Sequence, residues 1–135
     1  MDEDRILPQK HDRDTAGFFD AADRRELVYR ACSACGSAVH PPRARCSACG
    51  SWETSWKQAS GRGRLYSWTT VTHQVHPAFP APYTVFVVEL EEAPDVRLVG
   101  FIDGAPEVHS GMPMRVRFDE TGDGGALPQW EPEAI

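Results

Sequence analysis

Lysine is nearly missing from this chain of 135 residues: Lys10 and Lys57 are the only two, and 14 basic residues face 20 acidic ones. The formal charge of −6 argues against a protein that lives by neutralising phosphate backbones, which takes clustered Lys and Arg. Long apolar runs are missing too. No stretch approaches the ~20 apolar residues that span a bilayer. Residues 1–14 are dense in charge and lack the apolar core of a secretory signal. These absences predict a cytoplasmic protein with no membrane association and with reduced thiols. Catalytic signatures are lacking as well. There is no GxSxG and no pair of carboxylates in a recognisable frame, and the GRGR of 61–64 has no GK[ST] ending, so it is not a phosphate loop. Independent catalysis is not expected.

What remains is ordinary globular material, 41% hydrophobic and 25% charged, enough for one domain or a small domain with an appendage. Its most specific feature is the hexapeptide CSACGS, which occurs at 32–37 and again at 46–51. Two residues between cysteines let both sulfurs face one ion, and Gly36 and Gly50 can supply the positive φ that such a knuckle favours. Cys32, Cys35, Cys46 and Cys49 together would close a tetrahedral shell with no position left for water, so the implied ion is structural. Spacing and thiolate preference favour one zinc ion. Two disulfides conflict with a reducing compartment, a redox motif needs no duplicate, and a rubredoxin-like iron site remains the other metal reading. With four thiolates and one divalent ion, the net charge becomes −8.

Around the cysteines the chain changes texture. TAGFFDAADRREL, from Thr15, reads as an amphipathic helix of about three turns, with Phe18, Ala22 and Arg25 on one face and Phe19 beside them. Thr15 is the expected N-cap, and Arg24 and Arg25 suit the negative end of the dipole. So short a helix needs a surface, its own domain or a partner. Leu27 to Tyr29 reads as a strand entering the first knuckle, and Pro41-Pro42 breaks the chain between the pairs. From Gly61 onward the pattern is β, with strands expected at 65–75, 84–90, 96–103 and 114–119 and the tail after 122 left mostly as loop. Four or five strands without a crossover helix point to a small closed antiparallel barrel.

Other motifs carry less. His73 and His76 would point to opposite faces of a strand, which is poor metal geometry. DETGDGG at 119–125 lacks two of the ligands of a calcium loop and reads as a turn. Tyr66 and Trp68 are expected on one strand face, opposite Leu65, Ser67 and Thr69. Arg43, Arg45, Arg62 and Arg64 could converge into an anion-attracting patch if the two modules pack together.

The order of parts is itself informative: Phe18-Phe19, Glu26-Leu27, the first CxxCG, Pro41-Pro42-Arg43, the second CxxCGS, Ser60-Gly61-Arg62-Gly63, Pro82-Tyr83 and Gly111-Met112. This order, over roughly residues 15–120, resembles the zinc-ribbon plus OB-fold family known as domain of unknown function thirty-five, associated with acyl-CoA enzymes. The resemblance implies a mainly β fold: an N-terminal helix, a rubredoxin-like zinc ribbon and a five-stranded OB-fold barrel. Divided accordingly, residues 1–25 are a polar lead and docking helix, 26–60 the ribbon, and 61–135 the barrel with its tail. It further implies a non-catalytic subunit of a thiolase-like acyl-CoA enzyme such as a lipid-transfer-protein-type steroid side-chain aldolase. Docking would then run through the helix and ribbon (Phe18, Phe19, Ala22, Leu27), and the four arginines become candidates for CoA phosphates. Where the family often has Trp in the aromatic pair, this chain has Phe19; residues 1–25 are too few for the hydratase domain fused to some members, so the chain is expected to be either a free-standing subunit or an excised domain. The competing reading is a single-stranded nucleic-acid module, which the charge disfavours.

Overall fold

The computed structural model describes residues 6–134. A helix, α1 (Ala16–Asp23), precedes a two-stranded ribbon of β1 (Val28–Cys32) and β2 (Thr54–Gln58). Five further strands form one antiparallel sheet: β3 (Arg62–Val71), β4 (Tyr83–Leu90), β5 (Arg97–Asp103), β6 (Pro113–Glu120) and β7 (Ala126–Pro132), in the order β5-β4-β3-β6-β7. The two edge strands, β5 and β7, meet through side chains. Gln129 Oε1 accepts from the Phe101 N–H at 2.8 Å, and Arg117 donates to the carbonyls of Phe101 and Trp130 at 2.7 and 3.0 Å. Gly100 permits the approach, since a Cβ there would stand 2.8 Å from the backbone nitrogen of Trp130. This curls the sheet toward the closed barrel expected of an OB-fold and removes its exposed edges.

The helix is shorter than its sequence pattern suggests. It ends at Asp23 because Arg25 takes φ 62°, a left-handed conformation that stops a helix. Thr15 stands at the N-cap position without a side-chain cap bond. The two arginines do serve the C-terminal end: Arg24 donates to the Asp20 carbonyl at 3.3 Å and Arg25 to that of Asp23 at 2.7 Å, where the dipole is negative. Gly17 lets the helix lie against the indole of Trp56 on β2, where any Cβ would collide. Lys10 pairs with Asp23 at 3.3 Å, Asp23 accepts the Ala126 N–H at 3.1 Å, and Arg25 pairs with Glu120 at 3.3 Å. These contacts tie the helix to the turn between β6 and β7.

Three strand expectations need correction. β3 stops at Val71, so His73 and His76 lie in the loop that follows, where His76 Nδ1 accepts the Ala78 N–H at 3.0 Å. The tail beyond 122 contains a full strand, β7, whose Trp130 is among the largest buried side chains. Tyr66 and Trp68 do not share a face. The ladder with β4 shifts between Leu65 and Ser67, so Leu65 opposes Val88 and Trp68 opposes Phe86, Leu65 buried and Trp68 39% exposed toward the strand's end, while Tyr66 bulges to the other side under the Arg97 guanidinium, 3.9 Å from its ring. A bulge inserts one residue and inverts the alternation beyond it. Of the 119–125 segment, Asp119 and Glu120 end β6 and 121–125 form the turn. Thr121 and Gly125 donate to Asp123, whose carboxyl is thereby held below its ordinary value.

The core joins ribbon to barrel. Leu65, Phe86, Val88, Leu90, Met114 and Trp130 fill the barrel, and Leu27 and Ala59 from the ends of the ribbon are buried in the same cluster. The Ala59 N–H donates to the Leu27 carbonyl at 2.7 Å. The ribbon's own buried cluster is Cys32, Val39 and Cys46, too little to fold on apolar burial alone.

Candidate metal centre and partner surface

The repeated hexapeptide folds the same way twice. In the first knuckle the Gly36 N–H donates to the Cys32 carbonyl at 2.9 Å and the Cys32 N–H to Ser37 at 2.9 Å. In the second, Gly50 donates to Cys46 at 2.9 Å and Cys46 to Ser51 at 2.8 Å. Gly36 and Gly50 have φ 78° and 79°, so glycine is required at both turns. The β1–β2 ladder holds the first knuckle, with Cys32 opposite Thr54, and the Thr54 hydroxyl donates to the Ala44 carbonyl at 2.6 Å just before the second.

These turns bring all four sulfurs within 4.8 Å of one another. Cys32 Sγ lies 3.7 Å from Cys49 Sγ, and Cys35 Sγ 3.7 Å from Cys46 Sγ. Four sulfurs at the usual zinc distance define a tetrahedron with an edge of about 3.8 Å, so the donor set and its size fit one zinc ion. Two sulfurs are buried with their residues and two face outward. Without an ion the thiols resist a common charge. The Ser37 hydroxyl and N–H draw Cys35 down to about 6, whereas at Cys49 the pull of the Ser51 N–H is outweighed by lost hydration and the neighbouring sulfurs, which push it up to about 12. A divalent cation removes that conflict by holding all four as thiolates. Among the described residues, this is the one group of metal-ligating side chains found.

The four arginines do not converge. Arg43 and Arg45 line a cavity on the ribbon with Arg13, Asp14 and Trp52. Arg62 and Arg64 line another on the barrel with Glu89, Glu91 and Glu133, and Arg62 is paired to Glu133 at 3.6 Å. The second setting is no anion site, because three carboxylates outnumber two guanidiniums. SGRG owes its glycines to packing: Gly61 has φ 87°, and a Cβ on Gly63 would strike the Glu89 carbonyl oxygen.

The expected partner residues also divide. Ala22 and Leu27 are buried in the chain's own interior, so they cannot form a docking surface. Phe18 and Phe19 stack with centroids 5.4 Å apart and line two adjoining apolar grooves. One runs toward Tyr29, Pro42 and Trp56 of the ribbon, the other toward Leu127 and Trp130 of the barrel, with Leu98 common to both. Beside them Val99 is 64% exposed. It lies in register with Val87, and Phe101 with Val85, so the outer face of β4 and β5 continues the apolar surface. Sequence reasoning passed over this face because both strands are apolar on either side. His40 closes the junction, its Nε2–H donating to the Arg97 carbonyl at 3.0 Å, and burial pushes the imidazole below its ordinary value.

A helix resting on a cysteine ribbon that shares its core with an OB-type barrel defines the class. The comparisons then place the chain within it. Residues 19–53 match the family described as the ChsH2 rubredoxin-like zinc ribbon domain, and 56–119 the ChsH2 C-terminal OB-fold domain. The solved "Ltp2-ChsH2(DUF35) aldolase" superposes with a TM-score of 0.84 at 38% identity, over 95% of this chain and 100% of that one. The chain belongs to this ChsH2/DUF35 family. It is also 40% identical over 89% of its length to the "Probable enoyl-CoA hydratase alpha subunit" of Thermomonospora curvata. With the "3-oxo-4,17-pregnadiene-20-carboxyl-CoA hydratase alpha subunit" of Mycobacterium tuberculosis the identity is 33% over 98% of the chain. It spans 38% and 42% of those two proteins. Among the described residues, no helix is long and apolar enough to cross a membrane.

Proposed function

We propose that this protein is a non-catalytic subunit that docks on a thiolase-like acyl-CoA enzyme and helps to form its acyl-CoA site. A steroid side-chain retro-aldolase is the favoured partner. The observation that carries this reading is the full-length match to the DUF35 chain of an Ltp2-ChsH2 aldolase, supported by a relative named for a pregnadiene carboxyl-CoA. The surface suits the role. Phe18, Phe19 and Val99 present an apolar face at the junction of ribbon and barrel, where a partner would bury it. The zinc centre holds the two knuckles of the ribbon and performs no chemistry, since four thiolates leave no open position.

Co-expression with a thiolase-like acyl-CoA enzyme of the same organism should yield a hetero-oligomer, with aldolase activity confined to the complex. Phe19→Asp and Val99→Asp each place a charge on the apolar face and should weaken co-purification about tenfold or more. Activity of the isolated chain, or a stable monomer indifferent to such an enzyme, would sink the proposal. Salt-sensitive binding to single-stranded nucleic acid would favour the other reading.

A further inference from the structure

The arginines beside the cysteines sit in a different electrostatic setting from those on the barrel. Arg13, Arg43 and Arg45 line a cavity that Cys46 and Cys49 also line, with Asp14 as its one acidic side chain. Neither Arg13 nor Arg43 makes an ion pair among the described residues. Arg45 is tethered by its Nε to the Gly50 carbonyl at 3.0 Å, which holds it over the second knuckle. Guanidinium stays charged at every working pH. Four thiolates around one divalent cation carry a net charge of −2, a dianion partly shielded from water that needs nearby positive charge.

The sequence supplies that charge locally. Residues 26–60 contain Arg30, Arg43, Arg45 and Lys57 against Glu26 and Glu53, a surplus of +2 within a chain of formal charge −6. In the cavity, three guanidiniums against one carboxylate leave the same surplus. We propose that Arg13, Arg43 and Arg45 are the counter-charge of the tetrathiolate centre, retaining the metal by offsetting its dianionic shell, and are not a phosphate site. With the metal bound, the cavity is close to neutral and offers little to a further anion.

The test is zinc release from the loaded full-length chain into excess chelator. R43Q/R45Q should release zinc about tenfold faster, at the low end of what outer-shell substitutions cost in metal affinity. R43K/R45K should stay near the wild-type rate, and R62Q/R64Q should leave it unchanged. Added salt should speed release from the wild type and the Lys variant more than from the Gln variant, because screening acts on charges the Gln variant lacks. Release from R43Q/R45Q at the wild-type rate overturns the proposal, as does an equal acceleration in R43K/R45K. Saturable binding of inorganic pyrophosphate to the loaded wild type, lost in R43Q/R45Q, also overturns it. None of these outcomes bears on whether the chain docks to an enzyme.

Discussion

Single residues decide whether the ribbon exists. Cys46 is buried and belongs to the ribbon's small interior as well as to the sulfur cluster, so Cys46→Ser removes a ligand and an apolar contact together. Zinc per chain should fall from one to below about half an equivalent by metal analysis, since structural zinc contributes on the order of 10 kcal/mol or more to folding at neutral pH. The pH dependence follows from proton competition for the ligands. Zinc binds all four sulfurs as thiolates, so binding releases protons, and a zinc-release titration should show retention declining as the pH falls. These residues were legible in the sequence because a knuckle is local: six residues contain the ligands, the turn and its glycine. The arginines were not, because whether Arg43 meets Arg62 is settled by how two modules pack, which no spacing records.

At the scale of elements, glycines mark where backbones crowd. Gly100→Ala would drive a methyl group against Trp130 and pry β5 from β7, costing about 2–3 kcal/mol. Gly104→Ala meets nothing within 4 Å and suffers only from its φ of 86°, costing about 1 kcal/mol. Urea denaturation of the two variants should separate these costs. The strands themselves were unevenly legible. TVFVVEL in β4 is a run of β-formers and declares itself, whereas ALPQWEP in β7 holds two prolines and a polar pair that hide a strand around Trp130. β7 tolerates its prolines because it is an edge strand that reaches β5 through its own Gln129 side chain rather than through a ladder. The bulge at Tyr66 is equally invisible in the pattern, since Leu65, Tyr66 and Trp68 alternate as though the strand were regular.

For the whole molecule, the shared interior matters most. Leu27 and Ala59 enter the barrel core from the two ends of the ribbon, so zinc removal should lower the stability of both modules. Calorimetry of the zinc-loaded protein should give one endotherm. Leu27→Ala should cost about 2–4 kcal/mol while keeping a single transition; two resolved transitions would mean that the modules fold independently. A mainly β fold with one N-terminal helix, a cysteine ribbon and a β-sheet region was readable from composition and order, but the continuity of the core from ribbon to sheet was not. It rests on Leu27 and Ala59 lying in one buried cluster with barrel residues far along the chain, while the hydrogen bond from Ala59 to Leu27 closes the base of the ribbon.

That cluster has a consequence for inheritance. The family descriptions divide this sequence between residues 53 and 56, yet a recombination event cutting there would part Leu27 from the residues it packs against. An exchange that separates ribbon from barrel is therefore expected to cost stability, because it splits one buried cluster. A chimaera that exchanges the ribbon alone between relatives would need to carry its matching half of the barrel interior with it.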